Sequence, residues 1–206
     1  MKFQFEGKLP YIALCLVVLA IFYGIYFAKS FLQKQHGIKT RQIGRRKEKS
    51  IHTVETLMSI ATFAAPAAEL FSVFINWSYL PDGARFTGFC ISILGDIIFL
   101  ISVVCMKDSW RAGIPEKDKT KLVTGGIYKY SRNPAFLGFD FMYIGVFLMY
   151  FNPVTAVFSI FAIIMLHLQI LQEEKYLASA FGKPYADYKA NVHRYLGRRK
   201  GHTISK

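Results

Sequence analysis

Residues 122–138, LVTGGIYKYSRNPAFLG, set a polar, basic, Gly-punctuated stretch directly against an apolar run. Gly125 and Gly126 permit tight turns, and Tyr128 and Tyr130 offer aromatic faces with hydroxyls. Arg132 and Asn133 supply donors just before Pro134, a residue suited to open a helix. This inventory suits a small anionic or zwitterionic ligand, with Arg132 the cation for a carboxylate. Two further blocks carry polar residues of the same kind. Residues 109–114, SWRAGI, place Trp110 beside Arg111, and residues 173–197 open on paired Glu173 and Glu174 and run through several Tyr to a late Arg. Trp110 fits either an interfacial aromatic belt or a ligand contact.

The elements that must hold these blocks are apolar. Of the 206 residues 53% are hydrophobic, and they gather in runs near 9–31, 54–79, 86–106, 134–151 and 154–171. Each run reaches or approaches the roughly 20 residues that cross a bilayer core of about 30 Å. The expected fold is therefore a single all-α integral membrane domain. It has about five transmembrane helices, with segments 107–133 and 172–206 together forming a ligand pocket on one side. The first run is long for the apolar core of a signal peptide and reads as an ordinary span.

A formal charge of +13 would suit nucleic acid, but its distribution argues otherwise. Basic residues cluster at 34–49, 107–132 and 175–206, and with five spans all three clusters fall on one side. The positive-inside rule makes that side cytoplasmic, so the N-terminus is expected outside and the C-terminus inside. Partners are then the lipid bilayer and a membrane-borne small molecule, with no nucleic acid and no obligate protein partner. Cys15, Cys90 and Cys105 lie within the runs at no metal or redox spacing, and no metal site is expected. Glu69 lies inside the second run, where a carboxyl marks either a polar interior or a hydrogen bond between helices; Asp96 and Asp140 suggest the latter.

Asn152 and Pro153 alone separate the last two runs, which forces an antiparallel hairpin. Its paired ends bring Arg132, Asn133 and Phe136 close to His167, Gln169 and Glu173, although the two blocks are far apart in sequence. Beyond Glu174 a helical period breaks at Gly182, and a second helix from Pro184 spaces Tyr185, Tyr188, Val192 and Tyr195 along one face.

The three blocks, in this order, resemble the signatures of the isoprenylcysteine carboxyl methyltransferase family and its phospholipid-methylating relatives. The resemblance covers about the C-terminal half. It implies an enzyme that transfers a methyl group from S-adenosylmethionine to a membrane-embedded, lipid-like or small-molecule acceptor. By the same resemblance Gly113, Thr120, Lys121, Leu122, Val123 and Tyr128 contact the cofactor, together with Asn133, Pro134, Phe136 and Glu173. Arg132, Asn133 and Glu173 are expected to serve catalysis; Gln169, His167 and Arg132 are expected to meet the acceptor. Asn133 and Phe136 stand where the family commonly has His and Tyr, and Gln169 where eukaryotic members place a substrate-binding Arg. His167 fits a general base or a structural hydrogen bond. A sterol-type membrane reductase using NADPH, or a small transporter or scaffold, is the alternative. The compact length suggests a prokaryotic cytoplasmic membrane with the active site facing the cytoplasm.

Overall fold

The computed structural model describes residues 9–43, 48–114 and 120–199. Lys47, and residues 115–119 and 200–206 of the two expected pocket segments, lie outside them. Among the described residues six α-helices follow in order: α1 (Leu9–Gln35), α2 (Lys49–Phe74), α3 (Asp82–Met106), α4 (Pro134–Met149), α5 (Pro153–Phe181) and α6 (Lys183–Asn191). Single 3-10 turns lie at Lys107–Ser109 and Gly126–Lys129. No strand occurs among the described residues, only isolated bridges pairing Arg41 with Ala112 and Val192 with Arg198. The protein is an all-α integral membrane fold: α1, α2, α3 and α5 are each long and apolar enough to cross a bilayer. The run at 134–151 forms the shorter α4, whose 16 residues extend about 24 Å, less than the bilayer core.

In lipid there is no hydrophobic drive between helices, so close backbone packing must hold them together. The seam between α3 and α4 does this through four glycines. A Cβ on Gly95 would lie 2.8 Å from the Gly138 carbonyl oxygen, and one on Gly138 would lie 2.9 Å from that of Gly95. One turn pair further along, a Cβ on Gly88 would meet the Gly145 carbonyl oxygen at 2.5 Å. The glycines recur every seven residues, so the two backbones approach closely along one stripe. Helix α2 remains continuous through Pro66 and buries Ala61, Ala65 and Ala68, small residues that allow α5 to lie close.

The α4–α5 hairpin is closed by a capping box. The Asn152 side chain accepts from the Val154 and Thr155 amides at 2.9 and 3.0 Å, while Thr155 Oγ1 accepts from the Asn152 amide. Asn152 Nδ2 also donates to the Trp77 carbonyl, tying the hairpin to the α2–α3 connection. Helix α5 runs on to Phe181, where Gly182 adopts φ 54° and ends it. Glu173 and Glu174 are thus helical residues with fixed and different directions. Glu69 and Asp96, for which hydrogen bonds between helices were among the expectations, have both carboxyl oxygens buried without a partner among the described residues, and Asp140 Oδ1 is likewise unpartnered there.

Candidate active site

All three polar blocks meet at one end of the bundle, where α1, α3 and α5 finish and α2 and α4 begin. The 120–133 segment folds there around Gly126, which takes φ +59° with its Cα against Cys105; a Cβ would meet the thiol sulfur at 2.7 Å. Only glycine satisfies both conditions. The following turn buries Tyr128, and the Tyr188 hydroxyl of α6 donates to the Tyr128 carbonyl at 2.7 Å. Burial pushes the phenols of Tyr128, Tyr185 and Tyr188 up, so each stays protonated.

Arg132 and Asn133 converge on Glu174. Arg132 donates to Glu174 Oε1 from Nη2 at 2.7 Å and from Nε at 3.3 Å, and its Nη1 reaches the Val192 and Lys189 carbonyls at 2.8 and 3.2 Å. Asn133 Nδ2 donates to the same carboxyl oxygen at 3.1 Å and to the Arg194 carbonyl at 3.2 Å. Arg194 completes the set with Nη2 on Glu174 Oε2 at 3.0 Å. The Arg132 and Glu174 side chains are each 5% exposed, so this is a desolvated cluster that ties α5 and the start of α4 to the segment after α6. Arg132 and Asn133, expected to serve the chemistry, have their donors committed to this clamp while still bordering the cavity beside it. Glu174 and Arg194 went unassigned in the sequence reading, where their signal was the paired Glu and the late Arg of the third block.

Two cavities lie at this end of the bundle, the smaller against the clamp. The smaller, about 120 Å3, is bordered by Leu122, Val123 and Tyr128 of the central block, by Thr120 and Lys121 just ahead of it and by Glu173 of α5. The larger, about 890 Å3, lies chiefly between α1 and α2, with Tyr23 and Phe27 on one side and Thr62 and Phe63 on the other. Trp110, Arg111, Gly113, Ala135, Phe136 and Glu173 border both, so the two cavities share one wall. Trp110 is 4% exposed and packs edge-on against Tyr26 and Phe99, which takes it out of the interfacial belt and into that wall.

Of the remaining expected site residues, Pro134 is the buried first residue of α4 and borders neither cavity. Gln169 is fully buried behind Glu173, to which its Nε2 donates at 3.2 Å, and its own Oε1 has no partner among the described residues. His167 points elsewhere: its Nδ1 hydrogen-bonds the Tyr195 hydroxyl, and the two rings stack. Neither residue lines a cavity, so the structure sets them behind and beside the site instead of on it. Sequence reasoning missed the part played by α1 and α2. Apolar residues that face a void and those that face lipid have the same composition, so no local signal marked them.

The arrangement offers a carboxylate, Glu173, among the rings of Trp110, Tyr128 and Phe136. Such a set favours a cation, since the carboxylate pairs with it and aromatic faces attract it. The donor set therefore fits a soluble ligand with an ammonium or sulfonium group. Across the shared wall, the larger cavity fits an apolar chain.

Residues 87–179 match the sequence model of the isoprenylcysteine carboxyl methyltransferase (ICMT) family. The chain is 31% identical over 111 residues to a probable protein-S-isoprenylcysteine O-methyltransferase of Oryza sativa subsp. indica, covering 52% of this chain and 58% of that one. It is 30% identical over 136 residues to the protein-S-isoprenylcysteine O-methyltransferase of Saccharomyces cerevisiae, covering 65% and 55%. With protein-S-isoprenylcysteine O-methyltransferase B of Arabidopsis thaliana it shares 27% over 168 residues, 68% of this chain and 84% of the relative. The chain thus spans little more than half the length of the rice and yeast relatives.

Proposed function

We propose that this chain, which belongs to the isoprenylcysteine carboxyl methyltransferase family, is an S-adenosylmethionine-dependent methyltransferase acting on a lipid-like acceptor drawn from the bilayer. The observation that carries the reading is the wall shared by the two cavities, where Glu173, Phe136 and Trp110 face a small chamber bordered by Lys121, Arg132 and Asn133 on one side and a large, mainly apolar one on the other. A transferase between a water-soluble donor and a membrane-soluble acceptor needs such a junction.

S-adenosylmethionine, when bound, supplies an electrophilic methyl group on a sulfonium. Glu173 would hold its amino group, with Gln169 keeping the carboxylate in place from behind. Tyr128 and Trp110 would present ring faces to the positive charge. Leu122 and Val123 would border the cofactor with backbone and apolar surface, next to Thr120 and Lys121. Gly113, at φ 88°, holds a left-handed backbone conformation that favours glycine where the two cavities meet. The clamp of Glu174, Arg132 and Asn133 positions the segment that closes the small chamber. Catalysis then rests on alignment, since fixing two reactants in line can supply about 7–11 kcal/mol.

The acceptor would enter through the gap between α1 and α2, where Phe27 and Phe63 are both exposed and both border the large cavity. An isoprenyl chain of the kind in the relatives' names fits its apolar interior. By the positive-inside rule the end of the bundle that carries the site faces the cytoplasm, with the amino terminus on the other side.

The test is isothermal titration of the full chain, purified in detergent, with S-adenosylhomocysteine and, separately, NADPH. Saturable binding of the former with none of the latter is the expected result. Binding of NADPH alone, or silence from both, overturns the assignment.

A further inference from the structure

The large cavity is apolar inside but cationic at its mouth, and the cations come from a part of the chain that the family match does not reach. The α1–α2 connection crosses that mouth as a short extended segment in which residues alternate. Thr40 and Gln42 are buried while Lys39 and Arg41 are exposed. The buried members fix the segment. Thr40 Oγ1 donates to Gln33 Oε1 at 2.7 Å, Gln33 Nε2 donates to the Trp110 carbonyl at 3.0 Å, and backbone bonds join Thr40 and Gln42 to Ala112. Alternation then turns Lys39 and Arg41 together toward the opening, where both border the cavity with Lys34 of α1. Arg41 bridges the mouth: its Nη2 donates to Ser59 Oγ of α2 at 2.9 Å, and its guanidinium sits 5.9 Å from the centre of the Phe63 ring.

Among the described residues none of these three cations forms an ion pair, and Glu173, on the shared wall, is the only acid bordering the cavity. Three cations at the rim of an apolar chamber, Lys39 and Arg41 on the pinned segment and Lys34 on α1, are more than a single carboxylate needs. They match a phosphate ester, which carries up to two charges and takes bidentate contacts from Arg. The cavity volume, about 890 Å3, lies high in the usual range for ligand sites of about 300–1,000 Å3, leaving room for the chain behind such a group.

We infer that the acceptor cavity is built for a phosphate-bearing lipid, whose phosphate is held by Lys34, Lys39 and Arg41 at the rim while its apolar chain fills the space between α1 and α2. This rests on the acceptor role given to that cavity above. The phosphate is a recognition group and is not the atom that receives the methyl.

The experiment is calorimetric titration of the detergent-purified full chain with farnesyl phosphate, farnesol, N-acetyl-S-farnesylcysteine and inorganic phosphate. Each is repeated on the double variant K39Q/R41Q. The expected order places farnesyl phosphate at least about tenfold tighter than farnesol and tighter than the carboxylate, with K39Q/R41Q removing most of that margin and leaving farnesol unchanged. Should the variant fold poorly, the wild-type chain serves: raising NaCl from about 0.05 to about 0.5 M must weaken farnesyl phosphate and spare farnesol. Equal binding of phosphate, carboxylate and alcohol overturns the inference, as does a phosphate margin that survives the double substitution. Inorganic phosphate binding as tightly as farnesyl phosphate would show a site for the free ion and overturn the lipid part. S-adenosylhomocysteine, titrated in parallel, separates the two readings: a farnesyl phosphate margin without cofactor binding refutes the methyltransferase and leaves the phosphate site standing.

Discussion

Replacing Glu174 by Ala tests whether the clamp, and not the bundle, shapes the small cavity. The substitution removes the Glu174 oxygen that accepts two bonds from Arg132, whose side chain is 5% exposed and keeps the Val192 and Lys189 carbonyls. Stranding one partner of a buried pair costs about 3–5 kcal/mol. The second pair adds little, because the Arg194 side chain is 34% exposed and such pairs contribute about 0.2–1 kcal/mol. The α3–α4 glycine seam and the Asn152 cap lie elsewhere, so the loss should fall on the segment from Gly182 to Arg199. At the lower figure, about 3 kcal/mol corresponds to about a hundredfold rise in local opening. Hydrogen exchange read by mass spectrometry would show this at the amides of Arg132, Val192 and His193, with the α3 and α4 amides unchanged. Arg194→Ala should raise the same exchange only about fivefold. Equal effects of the two substitutions, or E174A exchange spread evenly over the bundle, would refute the local clamp.

Glu173→Gln, its neighbour in sequence, should weaken S-adenosylhomocysteine about tenfold while leaving exchange at those amides unchanged; an unaltered Kd in titration removes Glu173 from the cofactor site. Ala67→Trp, placed on the exposed α2 side of the large cavity, should abolish methyl transfer to any lipid acceptor and spare S-adenosylhomocysteine binding. Loss of both together would contradict separate chambers. Gly95→Val forces a Cβ to within 2.8 Å of the facing backbone and should cost at least about 1–3 kcal/mol of stability, seen as a lower melting temperature in detergent. Gly83→Ala, with nothing within 4 Å, should instead raise it slightly, and the opposite ranking would dispose of the seam argument.

Adjacent residues on α5 show where legibility stopped. Glu173 and Glu174 are chemically identical and share one block, yet successive helix positions diverge by about 100°, so one borders the cavities and the other anchors Arg132 and Arg194. The sequence names the pair but not which way each points. The same holds for His167 and Gln169, whose residue types suggest chemistry while their directions give them structural partners.

What the sequence determined by itself is what depends on composition and local chain geometry. Long apolar runs dictate helices because backbone groups in lipid must be satisfied within the segment. Asn152 and Pro153 dictate the hairpin, and the clustered Lys and Arg dictate that the polar blocks share one end. Only tertiary structure decided the rest: that α1 and α2 stand apart around a large cavity, that the connection between them lays Lys39 and Arg41 across its mouth, and that Arg132 serves the clamp. The physical reason is that a membrane helix is apolar on every face, whether it meets lipid, a neighbouring helix or a void. Its pattern therefore states that it crosses, and leaves to packing the question of what it encloses.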